Sequence, residues 1–304
     1  MKIRKKEWEE SNFDCEIKYL KNLPAFYKDK NINDGYLSFE KDIPLIRFKS
    51  LEKLPFINAA FSTRFGGFSK NEFSSLNLSS KRGDSLENVK LNFSLVEKSL
   101  NTSLSSIVLS SLTHSTNITK ARKELALGSD LKVDAKLDNV DGLWTDDKNL
   151  FLSESFADCV PIFFADTKGK NIALIHSGWR GTVNKISKNA VDILCENGSN
   201  KEDIEAIIGP SISVVNYEVT DEVIEEFKSN FDKAYWNDIF IKKDNSHYYL
   251  DMWAAIYYTL IGSGINKENI YFSGICTYEN SDIFFSHRKT HGKRGNMNGF
   301  ISLI

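Results

Sequence analysis

Cys159 and His176 stand at the ends of two apolar runs. Cys159 follows Ser155-Phe-Ala-Asp158 and precedes Val160-Pro161; His176 closes Asn171-Ile-Ala-Leu-Ile175 and leads into Ser177-Gly-Trp-Arg-Gly181. Cys and His are the two residue types that serve both as ligands of a transition metal and as a nucleophile with its base. They are scarce here: 304 residues hold four Cys and five His. A third candidate, His114, lies in Leu112-Thr-His-Ser115, delivered by the strand-like run Ser106-Ile-Val-Leu-Ser-Ser-Leu112. Neither C-x-x-C nor H-E-x-x-H occurs. Spacing alone therefore leaves two readings open, a metal centre or a buried thiol with satisfied imidazoles.

Several polar residues surround these candidates. Asp158 precedes the thiol and could orient a ligand, move a proton, or simply serve a turn. Arg64, in Phe61-Ser-Thr-Arg-Phe-Gly-Gly67, and Arg180 are both Gly-flanked guanidinium groups of a kind that holds phosphate well. Arg288, beside His287 and Lys289, is a further basic candidate. Asn77, in Ser75-Leu-Asn-Leu78, either anchors its loop or meets a substrate. Cys276 either lines a pocket or is a buried structural thiol, and Trp179 either stacks on a base or fills the core.

The elements that must position these groups alternate between strand and helix. Leu86, Val89, Phe93, Val96 and Leu100 recur at helical spacing, with Asp84 as the expected cap. Leu150-Phe-Leu-Ser153, Val160–Ala165 and Ile172–Ile175 read as buried strands, and a helix with Ile186, Ala190, Ile193 and Leu194 on its apolar face follows the glycine loop. Helices are also expected from Thr220 to about Lys228 and after Asp251. Pro44 argues against a central strand in its neighbourhood. The pattern predicts an α/β fold, a mixed α/β sandwich with sheets flanked by helices, not Rossmann. No G-x-G-x-x-G and no P-loop is present.

Composition narrows the function classes. Apolar residues make up 41% and charged residues 26%, and the formal net charge is −2. Such a chain has no bulk attraction to nucleic acid or to an anionic membrane, so neither is expected as a partner. No apolar stretch reaches the ~18 residues of a membrane span. The basic start Met1-Lys-Ile-Arg-Lys-Lys-Glu-Trp8 lacks a following apolar segment and is not expected to be a signal peptide. Cys15, Cys159, Cys195 and Cys276 lie far apart, which points to a reducing compartment, the cytoplasm.

Four ordered blocks together resemble the laccase-domain family (YfiH-like, multicopper polyphenol oxidoreductase). They are Ser62-Thr-Arg-x-Gly-Gly67 with Ser75-Leu-Asn-Leu78; Ala157-Asp-Cys-Val-Pro161; His176-Ser-Gly-Trp-Arg-Gly181; and Cys276-Thr-Tyr278 with Phe284-Phe-Ser-His-Arg288. Residues 51–304 form the catalytic domain on this reading, and residues 1–50 an N-terminal extension to it. The resemblance implies one zinc per chain on His114, Cys159 and His176, with copper the less fitting metal. A laccase needs many His for several coppers, and this chain has five His and no His-x-His pair.

It further implies small-molecule substrates: a purine nucleoside phosphorylase acting on adenosine, inosine, guanosine and methylthioadenosine with phosphate, with adenosine deaminase side activity. Under that reading Asp158 and Arg180 are catalytic, and Arg64, Asn77, Cys276 and Arg288 bind substrate. A bacterial branch of the family implies a different class, a Cys–His hydrolase editing a peptidoglycan precursor. A non-catalytic metal-binding homologue is the third alternative. Two positions depart from the family pattern. Leu112-Thr-His-Ser115 stands where Gln-Val-His-Gly is usual, and Asn296 stands where Arg is usual. An anion contact made from that Arg would fall to Arg294 or Arg288.

Overall fold

The computed structural model describes residues 17–20, 23–39, 42–244 and 247–304. Cys15 and the basic N-terminal octet lie outside the described residues. Two six-stranded mixed sheets carry the fold. The first runs in the order Gly35–Ser38, Leu45–Phe48, Ile57–Ser62, Met297–Leu303, Phe151–Phe156, Ile107–Leu109. The second runs Ile270–Phe272, Ile204–Ile208, Val160–Asp166, Ile172–Ser177, Gly142–Thr145, Ile118–Lys120.

The layering follows from alternation along the strands. Phe163, Ala165 and Leu174 of the second sheet pack with Leu152, Phe156 and Ile301 of the first. Their neighbours Ile162, Phe164, Ala173 and Ile175 point the other way, into the helices Ile186–Glu196 and Met252–Gly262. On the outer face of the first sheet, Ala60, Phe151 and Phe300 meet Val89, Phe93 and Val96 of the helix Leu86–Leu100. The order is therefore helix, sheet, sheet, helices. Strands covered on both faces read as unbroken apolar runs, which is why Val160–Asp166 and Ile172–Ser177 are buried along their whole length.

Two sequence expectations are corrected. Leu45–Phe48, directly after Pro44, pairs on both sides, with Gly35–Ser38 and with Ile57–Ser62. Pro44 only precedes this strand, so its missing N–H costs the ladder nothing. The helix at Leu86 has Ser85, not Asp84, in the cap position. Asp84 instead accepts from Ser69 Oγ (2.6 Å) and Asn77 Nδ2 (3.0 Å), tying two loops together. The residues before and after position 50 share one sheet, in which Leu45–Phe48 pairs with Ile57–Ser62. Farther upstream, the buried Tyr27 hydroxyl donates to Asp251 (2.7 Å), which caps its helix by accepting from Ala254 N at 3.0 Å. Among the described residues no helix is long and apolar enough to cross a membrane.

Candidate metal centre and cleft

The register of one hairpin brings the sequence candidates together. Val160 pairs with Ser177 and Pro161 with His176, so the residue before one strand faces the residues after the other. Gly142 pairs with Ile175, which delivers the Asp141 end of a third strand to the same place. The metal-binding atoms of His114, Cys159 and His176 all lie within 4.8 Å of one another. Cys159 Sγ is 3.9 Å from His114 Nε2. Donors bound to a tetrahedral zinc at ~2.0–2.1 Å (N) and ~2.3 Å (S) sit about 3.3–3.8 Å apart, so a small side-chain adjustment closes the set.

Asp141 builds this centre. Its buried carboxylate accepts from the backbone N–H groups of Thr113 (3.1 Å), His114 (2.9 Å) and Ser115 (2.7 Å). That pins a turn in which His114 adopts a left-handed φ of 64°. The same carboxylate accepts from His176 Nδ1 at 2.9 Å, leaving Nε2 to the shared centre. Burial works against the charge on Asp141, but its bonds to His176 and Ser115 win and hold the carboxyl well below its ordinary range. Burial pushes the Cys159 thiol up, yet His176 and His114 outweigh it and bring it down to about 6. Burial pushes His176 down, and Cys159 with Asp141 carries it the other way, up to about 10. A thiolate held this way is the ligand form of cysteine. Gly178 completes the cradle: a Cβ there would sit 2.7 Å from His114 Cδ2 and 3.3 Å from Cys159 Sγ.

The three donors line a cleft of about 900 Å³. One part of its wall is apolar, with Leu86, Val89, Phe93, Leu109, Leu127 and Leu131. Another part is basic, with Lys81, Arg82, Arg180, Arg288 and Arg294. The volume is within the ~300–1,000 Å³ typical of small-molecule sites.

The remaining candidates separate. Arg180 lines the cleft, its guanidinium 4.3 Å from the Trp179 ring centre. Arg288 also lines it, lying over the Tyr217 ring and donating to Glu218 O at 2.8 Å. Asp158 borders the cleft in a left-handed conformation (φ 82°). Its oxygens accept from Thr277 Oγ1 (2.6 Å), Ser286 Oγ (3.0 Å) and Arg288 N (2.7 Å), so it clamps the 286–288 turn.

Three expected substrate contacts are not cleft residues. Arg64 donates to the carbonyls of Ser74 and Ser281 and stacks on Phe285. Asn77 is fully buried and fully bonded, to Ser79, Asp84 and Asn296. Cys276 is buried and accepts from Ser213 N at 3.4 Å. In each case the hydrogen bonds made go to anchoring loops. Sequence reasoning missed Asp141, whose Asn139-Val-Asp-Gly142 context reads only as a turn, and it missed Arg82. Arg294 it found only through the departure at Asn296.

Comparison with known proteins places this geometry. The family model described as multi-copper polyphenol oxidoreductase laccase matches residues 58–304. The Bacillus subtilis protein named purine nucleoside phosphorylase YlmD is 35% identical over 247 residues, 81% of this chain and 88% of the relative. A protein of an unknown prokaryotic organism named adenosine deaminase RL5 is 34% identical, covering 79% of this chain and 93% of its own. The crystal structure of Bacillus licheniformis hypothetical protein YfiH superposes with a TM-score of 0.82 at 32% identity, covering 88% of this chain and 99% of that one.

Proposed function

From the premise that the chain belongs to the multi-copper polyphenol oxidoreductase laccase family, we propose that it is a zinc-dependent purine nucleoside phosphorylase with adenosine deaminase side activity. The observation that carries this reading is the His114–Cys159–His176 set opening onto a cleft with a basic wall. Adenosine, inosine, guanosine and methylthioadenosine are the substrates, with phosphate, and the enzyme works in the cytoplasm. The names of the relatives support the reaction class. Three protein donors at the edge of a cleft, rather than four, match a catalytic metal site better than a structural one. Multi-copper chemistry fits poorly, because among the described residues this is the one His/Cys/Asp/Glu group that fits a metal.

A divalent zinc held by these three residues would supply Lewis-acid polarisation of an oxygen or of the base. The chain does the rest. Asp141 keeps the His176 ring in one tautomer and one orientation. Arg180 and Arg288 face the cleft and offset the charge of phosphate as it approaches the sugar carbon. The apolar wall around Phe93 and Leu109 takes the planar base and excludes water. Asp158, through its three hydrogen bonds, acts by holding Arg288 in place.

The test is incubation of the zinc-loaded protein with inosine and phosphate. Hypoxanthine and ribose 1-phosphate should accumulate in equal amounts, and adenosine without phosphate should yield inosine. Absence of free base at full metal occupancy contradicts the reading. The low Cys159 thiol paired with a raised His176 also favours a second reading, the Cys–His hydrolase acting on a peptidoglycan precursor. That enzyme would work with no bound metal, so activity surviving complete chelation selects it.

A further inference from the structure

We propose that Arg294, with Arg82 and His287, forms a subsite for a dianionic phosphoryl group in the cleft. The proposal rests on the cleft being the active site described above.

Arg294 is only 6% exposed, yet it lines the cleft. Its bonds go to neutral acceptors alone: Nη1 to Gly295 O (3.2 Å) and to Asn296 Oδ1, and Nη2 to His287 Nδ1 (3.3 Å). Its Nε is buried without a partner. Among the described residues no carboxylate lies within ion-pair distance of it. The carboxylate whose field reaches it, Asp158, is turned to Thr277, Ser286 and the Arg288 backbone. A guanidinium cannot shed its proton at physiological pH, so its burial without a counter-charge is costly. Burial and the nearby Arg82 depress it to about 10.

The neighbours make the deficit larger. Arg82 lines the same cleft, is exposed, and has no ion pair among the described residues. His287 is held below its usual range by burial and by Arg294 and Arg82, so it is a neutral ring whose Nδ1 accepts from Arg294. Its other ring nitrogen is then a donor. Two guanidinium forks and one imidazole N–H, with no acid among them, suit a phosphoryl dianion better than a monoanionic carboxylate. Two sources share that chemistry: free inorganic phosphate, and the 5′-phosphate of a nucleotide.

The experiment is titration calorimetry of the zinc-loaded chain with inorganic phosphate and, separately, with inosine 5′-monophosphate. Wild type should bind at least one of them at one site per chain. Arg294→Gln should weaken that binding at least 30-fold, and Arg82→Gln several-fold. Arg82 is exposed, so its variant reports even if Arg294→Gln fails to fold. Binding of phosphate alone assigns the site to the co-substrate, and binding of the nucleotide alone assigns it to a substrate-borne phosphate; both support the subsite. Wild type binding neither overturns it, as does unchanged affinity in Arg82→Gln. Inosine turnover measured in parallel separates the two claims. Where inorganic phosphate is the anion bound, phosphorolysis with an unchanged phosphate KM in both variants removes the subsite and leaves the function. No phosphorolysis, with anion binding lost in the variants, removes the function and leaves the subsite.

Discussion

The metal centre and the basic wall share one cleft and are built on opposite terms. At the centre the organising acid is fully committed: Asp141 takes three backbone N–H groups, the Ser115 hydroxyl and the His176 ring. On the wall the cations outnumber their partners, and Arg294 is buried against neutral groups with one nitrogen unbonded. The centre hangs on strand ends, where hairpin register sets positions. The wall comes from the short helical turn Ser80–Arg82, the helix Trp179–Val183 that carries Arg180, and residues 287–294. A saturated site holds its geometry before anything binds; an unsaturated one is completed by its ligand.

The strongest way to break the first half is to remove the sulfur. Cys159→Ala should abolish stoichiometric metal and take phosphorolysis below detection, checked by metal analysis and product assay. Asp141→Asn keeps the shape but weakens the ring's orientation, and ~10–100-fold weaker metal binding is expected by chelator competition. Gly178→Ala crowds His114 Cδ2 at 2.7 Å. It should cost on the order of 1–3 kcal/mol in thermal or denaturant unfolding, and zinc retention should fall with it.

The two Gly-flanked arginines sharpen the second half. Arg180→Gln should raise the phosphate KM by about tenfold, the worth of one charge-assisted contact. Arg64→Gln, whose partners are the Ser74 and Ser281 carbonyls, should lower stability and leave that KM unmoved. Equal effects on KM would erase the distinction drawn between them.

A milder test uses a buried acid, which unlike Arg294 can neutralise itself. Burial pushes the Asp251 carboxyl up to about 7, against bonds from Ala254 N and Tyr27 that pull it down. The folded value lies above the unfolded one. The stability Asp251 contributes is therefore full below about pH 4 and is lost as pH rises through about 7, at up to ~1.4 kcal/mol per pH unit. Asn resembles the protonated acid, so Asp251→Asn should flatten the pH dependence of Tm between 4 and 7 while preserving the cap.

Much of the layout was readable in the chain. The apolar runs before His114 and His176 and after Cys159 are strands, and the period of Leu86, Val89, Phe93 and Val96 is a helix. The metal triad came from the family blocks, and its convergence depends on a register, Val160 with Ser177, that no local pattern encodes. Asp141 was hidden because its partners, Thr113 to Ser115, lie a full loop upstream. Arg64 and Arg180 have the same glycine context and opposite destinations; only tertiary structure separates a loop tie from a cleft cation. Asn77 and Cys276 match family blocks because loops must be anchored, which block matching does not distinguish from contact with a substrate.

The most direct measurement is X-ray absorption at the zinc edge of the purified protein. Two imidazole nitrogens at ~2.0–2.1 Å, one sulfur at ~2.3 Å and one further light atom are expected around a single zinc per chain. A zinc shell without sulfur, or a protein that takes up no zinc when the metal is supplied, would contradict the His114–Cys159–His176 centre.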